Sequence, residues 1–140
     1  MKLIAHRGNY QYKNPSKENH PEYIQKAIEA GYDAEVDIWY QDGLYLGHDD
    51  PKYDIDLDFL YLHHKKLWLH CKNVQALSFL SEIHEFNCFW HEQDAYALTS
   101  KGFIWTFPHA KVCEKSVIIT ENARFSKLQE CYGVCADILI

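Results

Sequence analysis

Glycine and proline are scarce in this chain of 140 residues, at six and four. With so few breakers, no Gly/Ser/Pro tract and no internal repeat, one unbroken domain over residues 1–140 is expected. No run approaches the roughly 18 consecutive apolar residues that crossing a bilayer requires, so no membrane span is expected. The opening MKLIAHRGNY has neither the apolar stretch nor the small-residue cleavage site of a secretory leader, and a cytoplasmic location is the expectation. A basic stripe is missing too. The 14 Lys and Arg are outnumbered by 20 Asp and Glu, giving net −6, which argues against nucleic acid as partner. There is no C-x-x-C among the five cysteines, and an odd number in apolar segments suits buried reduced thiols better than a disulfide frame or a zinc knot.

What is present is apolar and aromatic. Hydrophobic residues make 47% and aromatics 15% of the chain, enough for a sizeable core and too much for disorder. Short β-rich runs follow one another at 2–6, 34–40, 44–47, 67–71, 88–91, 103–107, 117–120 and 134–139. Helical spacing is clearest over 21–30, where Tyr23, Ile24, Ala27 and Ile28 recur and Gly31 occupies the stop position. Further helices are expected over about 74–83, 94–100 and 123–132, and Asp42-Gly43 reads as a tight hairpin turn. This alternation favours a parallel sheet with functional groups at the C-terminal ends of its strands. A closed eight-unit barrel takes about 250 residues, so the chain is either a trimmed barrel or an open sheet.

Nine histidines frame the functional question. Four clusters follow or end strands. Ala5-His6-Arg7-Gly8 pairs an imidazole and a fixed cation with a glycine that lets backbone approach a ligand. Glu35 and Asp37, two apart, share one face of a strand whose other face is Ala34, Val36 and Ile38. Two carboxylates on a buried face are costly without a cation between them. Gly47-His48-Asp49 follows the hairpin, and His70-Cys71-Lys72 ends the next strand. Two histidines, a carboxylate pair for a divalent cation and a lysine form a coherent phosphate-processing set.

Taken in order, Ile4-Ala5-His6-Arg7-Gly8, Glu18-Asn19 opening a helix, Ala30-Gly31, Glu35-x-Asp37, Asp42-Gly43 and His48-Asp49 resemble the glycerophosphodiester phosphodiesterase family, within the phosphatidylinositol-phospholipase-C-like phosphodiesterases. The likeness is dense over residues 3–50 and thinner beyond. There the 67–72 strand, Trp105-Thr106 and the 133–139 strand with its Asp resemble later family strands. The resemblance implies a short, divergent hydrolase of lipid metabolism on a trimmed TIM-like (βα) barrel with about seven parallel strands and some helices replaced by loops. It implies His6 and His48 as acid and base, Glu35 and Asp37 as metal ligands, and Arg7 and Lys72 as phosphate contacts.

Two departures are visible. His70 stands where the family carries a third carboxylate, and Lys17-Glu18-Asn19-His20 stands where Pro-Glu-Asn-Thr is usual. With His70 as third ligand the cofactor, a divalent ion such as Mg²⁺, Mn²⁺ or Ca²⁺, tilts towards a transition metal.

The expected reaction is hydrolysis of a small phosphodiester, with His6 as base and His48 as acid. Glu18, Asn19, His91 and Trp105 are candidate pocket residues, Trp105 as a wall against the substrate's alcohol. The alternatives are an inactive barrel that binds a phosphorylated ligand, and a histidine-rich metal binder using His63, His64 and His91. The oligomeric state stays open.

Overall fold

The computed structural model describes residues 1–125 and 130–140. Its strands are β1 (Lys2–His6), β2 (Asp33–Tyr40), β3 (Leu44–Leu46), β4 (Tyr53–Ile55), β5 (Leu67–Cys71), β6 (Asn87–Phe89), β7 (Tyr96–Leu98), β8 (Ile104–Thr106), β9 (Ser116–Asn122) and β10 (Gly133–Ile138). The helices are α1 (Pro21–Glu29), α2 (Leu57–His63) and α3 (Val74–Ser81), with a single 3-10 turn at Ala123–Phe125.

All ten strands join one mixed sheet. Parallel pairings run β6·β5·β2·β1·β10·β9·β8. The pairings β2·β3, β3·β4 and β7·β8 are antiparallel. This overturns the expected TIM-like barrel of about seven parallel strands: the sheet is larger, mixed in direction and served by only three short helices among the described residues. The reason lies in the connections. A parallel crossover needs a dozen or more residues, usually a helix, whereas only 41–43 separate β2 from β3 and 99–103 separate β7 from β8. Such short links can only turn the chain back on itself. Where a helix is expected over 94–100, Tyr96–Leu98 is therefore a strand, turned by a Thr99–Gly102 loop in which Thr99 Oγ1 accepts from the Phe103 N–H. Of the helix expected over 123–132, the 3-10 turn covers 123–125, and residues 126–129 lie outside the described residues.

Helix α1 begins where the sequence places it. The His20 imidazole accepts from the Glu22 N–H, Pro21 needs no donor partner, and Ile24 and Ala27 turn inward. Gly31, at φ 99°, then releases the chain towards β2. Asn73 caps α3 through the Ala76 N–H and also bonds both backbone groups of Tyr40, tying α3 to the end of β2.

Strand alternation sorts side chains onto two faces. One carries Ala34, Val36 and Ile38 of β2 and Leu67, Leu69 and Cys71 of β5 under Ile24, Leu60, Ala76 and Leu80 of the helices. The other carries Ile4, Trp68, Phe89, Trp105, Val117 and Cys135. Phe89 and Trp105 belong to strands at opposite ends of the parallel series, yet their rings lie 4.7 Å apart. The sheet is thus curled around an aromatic layer, without ladder pairing between β6 and β8. Ser100 bridges that seam: its N–H donates to the Cys88 carbonyl, and its hydroxyl accepts from the Cys88 N–H and donates to the Phe86 carbonyl.

Candidate functional site

Above the aromatic layer, the next inward residues of β1, β2, β5 and β10 are polar: His6, Glu35 and Asp37, His70, and Asp137. The register His6↔Glu35 and Asp37↔His70 brings them side by side at the C-terminal ends of their strands. Glu35 and Asp37 are 2% and 0% exposed. One atom each of Glu35, Asp37 and His70 can be chosen so that all lie within 4.8 Å of one another.

The two oxygens of Asp37 face different partners. Oδ2 accepts from Asn19 Nδ2 at 2.9 Å and lies 3.2 Å from Arg7 Nε and 3.3 Å from His48 Nδ1. The Asn19 side chain also accepts from the Asp37 N–H, locking the carboxylate's direction. Oδ1 is buried and faces His70 Nδ1 at 3.3 Å. Glu35 Oε2, without a hydrogen bond among the described residues, lies 3.8 Å from His6 Nε2.

His70 supplies the decisive detail. Its Nε2 is 3.0 Å from the His91 carbonyl oxygen. A carbonyl only accepts, so Nε2 carries the hydrogen, and in the neutral ring Nδ1 presents a lone pair to the Asp37 carboxylate. Two lone pairs facing at that distance repel unless a positive charge lies between them. In the cation-free protein a proton serves. Burial opposes charge on His70, but Asp37 and Glu35 outweigh it and hold its pKa above the ordinary value. A divalent cation would serve the same end with three donors already converging, so these residues fit one.

The remaining electrostatics set two carboxylates apart. Burial and the neighbouring Asp37 push the Glu35 pKa up, against His6, His70 and Arg7. Burial would raise Asp37 too, but the His48 and His70 imidazoles and the Arg7 guanidinium hold it far below the usual carboxylate range. His6 is desolvated, yet its bond to Asp137 and the Glu35 charge raise its pKa.

The loops that complete the site are strained or tightly packed. Arg7 and Asn19 take left-handed backbone, at φ 54° and 67°, and are joined by the Asn19 N–H bond to the Arg7 carbonyl. A Cβ on Gly47 would stand 2.0 Å from the Asp50 carbonyl oxygen, so only glycine lets the chain turn into His48.

His6, Arg7, Glu18, Asn19, Glu35, Asp37, His48 and His70 are therefore one cluster, Glu18 joining through a 3.2 Å bond from Arg7. Three candidates make no hydrogen bond or ion pair to the cluster through their side chains. The Lys72 side chain makes no hydrogen bond or ion pair among the described residues, while its backbone N–H bonds the Ile38 carbonyl. Trp105 is 3% exposed within the aromatic layer and packs on Phe89, a core role. His91 borders the cluster, its ring 6.4 Å from that of His70 and both its nitrogens without a hydrogen bond.

Sequence reasoning gave Asp137 no more than a hint and passed over Asn9. His6 Nδ1 is 2.8 Å from Asp137 Oδ1, which also accepts from Asn9 Nδ2 at 2.9 Å. Asn9 is fully buried, and its side chain additionally donates to Glu18 and accepts from the Tyr23 hydroxyl and the Asn14 N–H. Its one sequence signal is its place directly after His6-Arg7-Gly8. Asp137→Asn keeps the shape but removes the charge that orients the His6 ring. A downward shift of the His6 titration midpoint, followed by nuclear magnetic resonance, with an unchanged circular dichroism spectrum is expected, because the Asp137 bond raises the His6 pKa; an unaltered midpoint would show that His6 is not held by that carboxylate.

Fold and site together define a curled mixed sheet with a carboxylate and imidazole cluster at one mouth. No protein-family model, curated protein or solved structure matches the chain.

Proposed function

We propose that the protein is a metal-dependent phosphodiesterase acting on small glycerophosphodiester-like substrates. The observation that carries the reading is the His70 Nδ1 to Asp37 Oδ1 contact, which together with Glu35 supports a candidate cation site beside Arg7, His6 and His48. Glu35, Asp37 and His70 would hold the cation, which supplies Lewis-acid stabilisation of the phosphoryl oxygens.

Arg7 is pinned by Asp37 and Glu18 with its guanidinium charged, and burial is outweighed by the surrounding carboxylates. Its role is to bind and orient a phosphoryl oxygen. His6, held by Asp137, takes the proton of the attacking hydroxyl or water. His48, whose side chain is 40% exposed and whose Nε2 accepts from Arg7 at 3.4 Å in the resting site, would, once protonated and with Arg7 drawn to the phosphoryl oxygen, give a proton to the departing alkoxide. The sheet directs all of these groups towards one mouth, so the acid and the base need not travel to meet the substrate.

The test is hydrolysis of bis(4-nitrophenyl) phosphate before and after exhaustive chelation. Chelator is expected to abolish turnover, and added Mn²⁺ or Co²⁺ to restore it. Turnover that survives chelation would refute the metal-dependent reading.

A further inference from the structure

The opposite mouth of the sheet, at the N-terminal ends of the strands, holds a cavity of about 370 Å³, within the range of small-ligand sites. One wall is aromatic: Trp68 and Phe103 lie 5.1 Å apart and Phe103 and Tyr132 4.3 Å apart between ring centres. Asn87 and Asp33, 8% and 3% exposed, also line it, and each has an oxygen without a hydrogen bond. Asp33 Oδ2 accepts from the Trp68 indole at 3.0 Å. Its Oδ1 lies 3.5 Å from Lys2 Nζ and 3.7 Å from Lys66 Nζ, which balances charge without bonding the oxygen. Lys65, Lys101, His64 and His84 stand around the rim. Three lysines, Lys2, Lys65 and Lys101, the last also donating to the His84 carbonyl, thus line the cavity with two carboxylates, Asp33 and Glu85, and Lys66 stands against Asp33 from beside it, in a chain whose net charge is −6.

Buried acceptors normally find donors. Here two of them belong to residues that line a cavity with surplus positive charge, a small side-chain turn away from it. We propose that this cavity is a second ligand site, for a phosphomonoester whose carbon skeleton carries hydroxyl groups. The lysines would take the dianion, the hydroxyls would donate to Asn87 and Asp33, and the C–H face would lie on the aromatic wall. The layer of Ile4, Trp68, Phe89, Trp105, Val117 and Cys135 separates this mouth from the Asp37 cluster. The inference therefore stands independently of the phosphodiesterase reading.

Glucose 6-phosphate, glucose and inorganic phosphate serve as probes, titrated into the intact protein with chelator present. Nuclear magnetic resonance follows the Trp68 indole N–H and the Asn87 side-chain amide. Glucose 6-phosphate is expected to shift both signals and to bind about tenfold or more tighter than either fragment. Lys65 and Lys101 are exposed and the variant gives up one exposed bond, from Lys101 to the His84 carbonyl, so the Lys65→Gln/Lys101→Gln double variant is expected to keep its fold, checked by circular dichroism. It should bind glucose 6-phosphate about tenfold more weakly and hydrolyse aryl phosphodiester as before. Signals at Trp68 and Asn87 that stay still, shifts confined to Gly8 and His48, or unchanged binding by the double variant would each overturn the proposal.

Discussion

An Asp37→Ala variant is expected to lose divalent-cation binding and detectable hydrolysis, and to lose roughly 3–5 kcal/mol of unfolding free energy. The size follows from what the carboxylate holds. It is fully buried and touched by Arg7, His48, His70 and Asn19. Removing it leaves a guanidinium and an imidazole cluster inside the sheet with Glu18, Glu35, Asp137 and the exposed Asp49 to balance them. Asp37→Asn separates the two losses, because the amide keeps the volume while removing the charge. It should fold better than the alanine variant and still fail to bind Mn²⁺ in calorimetric titration. Cation binding that persists in either variant would remove Asp37 from the ligand set.

Replacing His70 by Glu should change which metal works. The wild-type donor set of two carboxylates and one imidazole favours Mn²⁺ or Co²⁺ over Ca²⁺, whereas three carboxylates suit Mg²⁺ or Ca²⁺. Protons add a second signature. In the cation-free protein the His70 pKa lies above its ordinary value, because Asp37 and Glu35 outweigh burial. A proton therefore competes with the cation as pH falls through neutrality, and wild-type affinity should drop there. His70→Glu removes that competitor, so its affinity should vary less between about pH 6 and 7.5. Glu cannot donate to the His91 carbonyl, and roughly 1–3 kcal/mol of stability should be lost for that unpaired acceptor. An unchanged metal ranking across a panel of five ions would show that His70 is not a ligand.

Much of the site was legible because it lies on strands with simple alternation. Glu35 and Asp37 share a face in sequence and in space, and β1 and β5 span Lys2–His6 and Leu67–Cys71, the bounds read from the sequence. What could not be read is what long-range pairing decides. The Tyr96–Leu98 segment looks helical locally, but Ala97 pairs opposite Trp105, and that cross-strand contact fixes it as a strand. Strand β4 and helix α2 were passed over inside an acidic stretch. The signal was Asp56, whose side chain accepts from the Phe59 N–H ahead of the buried Leu60. Asn9 went unnoticed because its importance comes from Asp137, 128 residues away.

The seam between β6 and β8 has a consequence for motion. Every other junction in the parallel series is a continuous ladder, so local opening costs least where bonds from Ser100 and Lys101 and the Phe89–Trp105 contact replace a ladder. Hydrogen exchange should be fastest along that line and slowest around β1, β2, β5 and β10. Those four strands carry His6, Glu35, Asp37, His70 and Asp137. The sheet can breathe at its seam while the donors of the candidate cation site remain in register, so fluctuation and chemistry occupy separate arcs of the same curl.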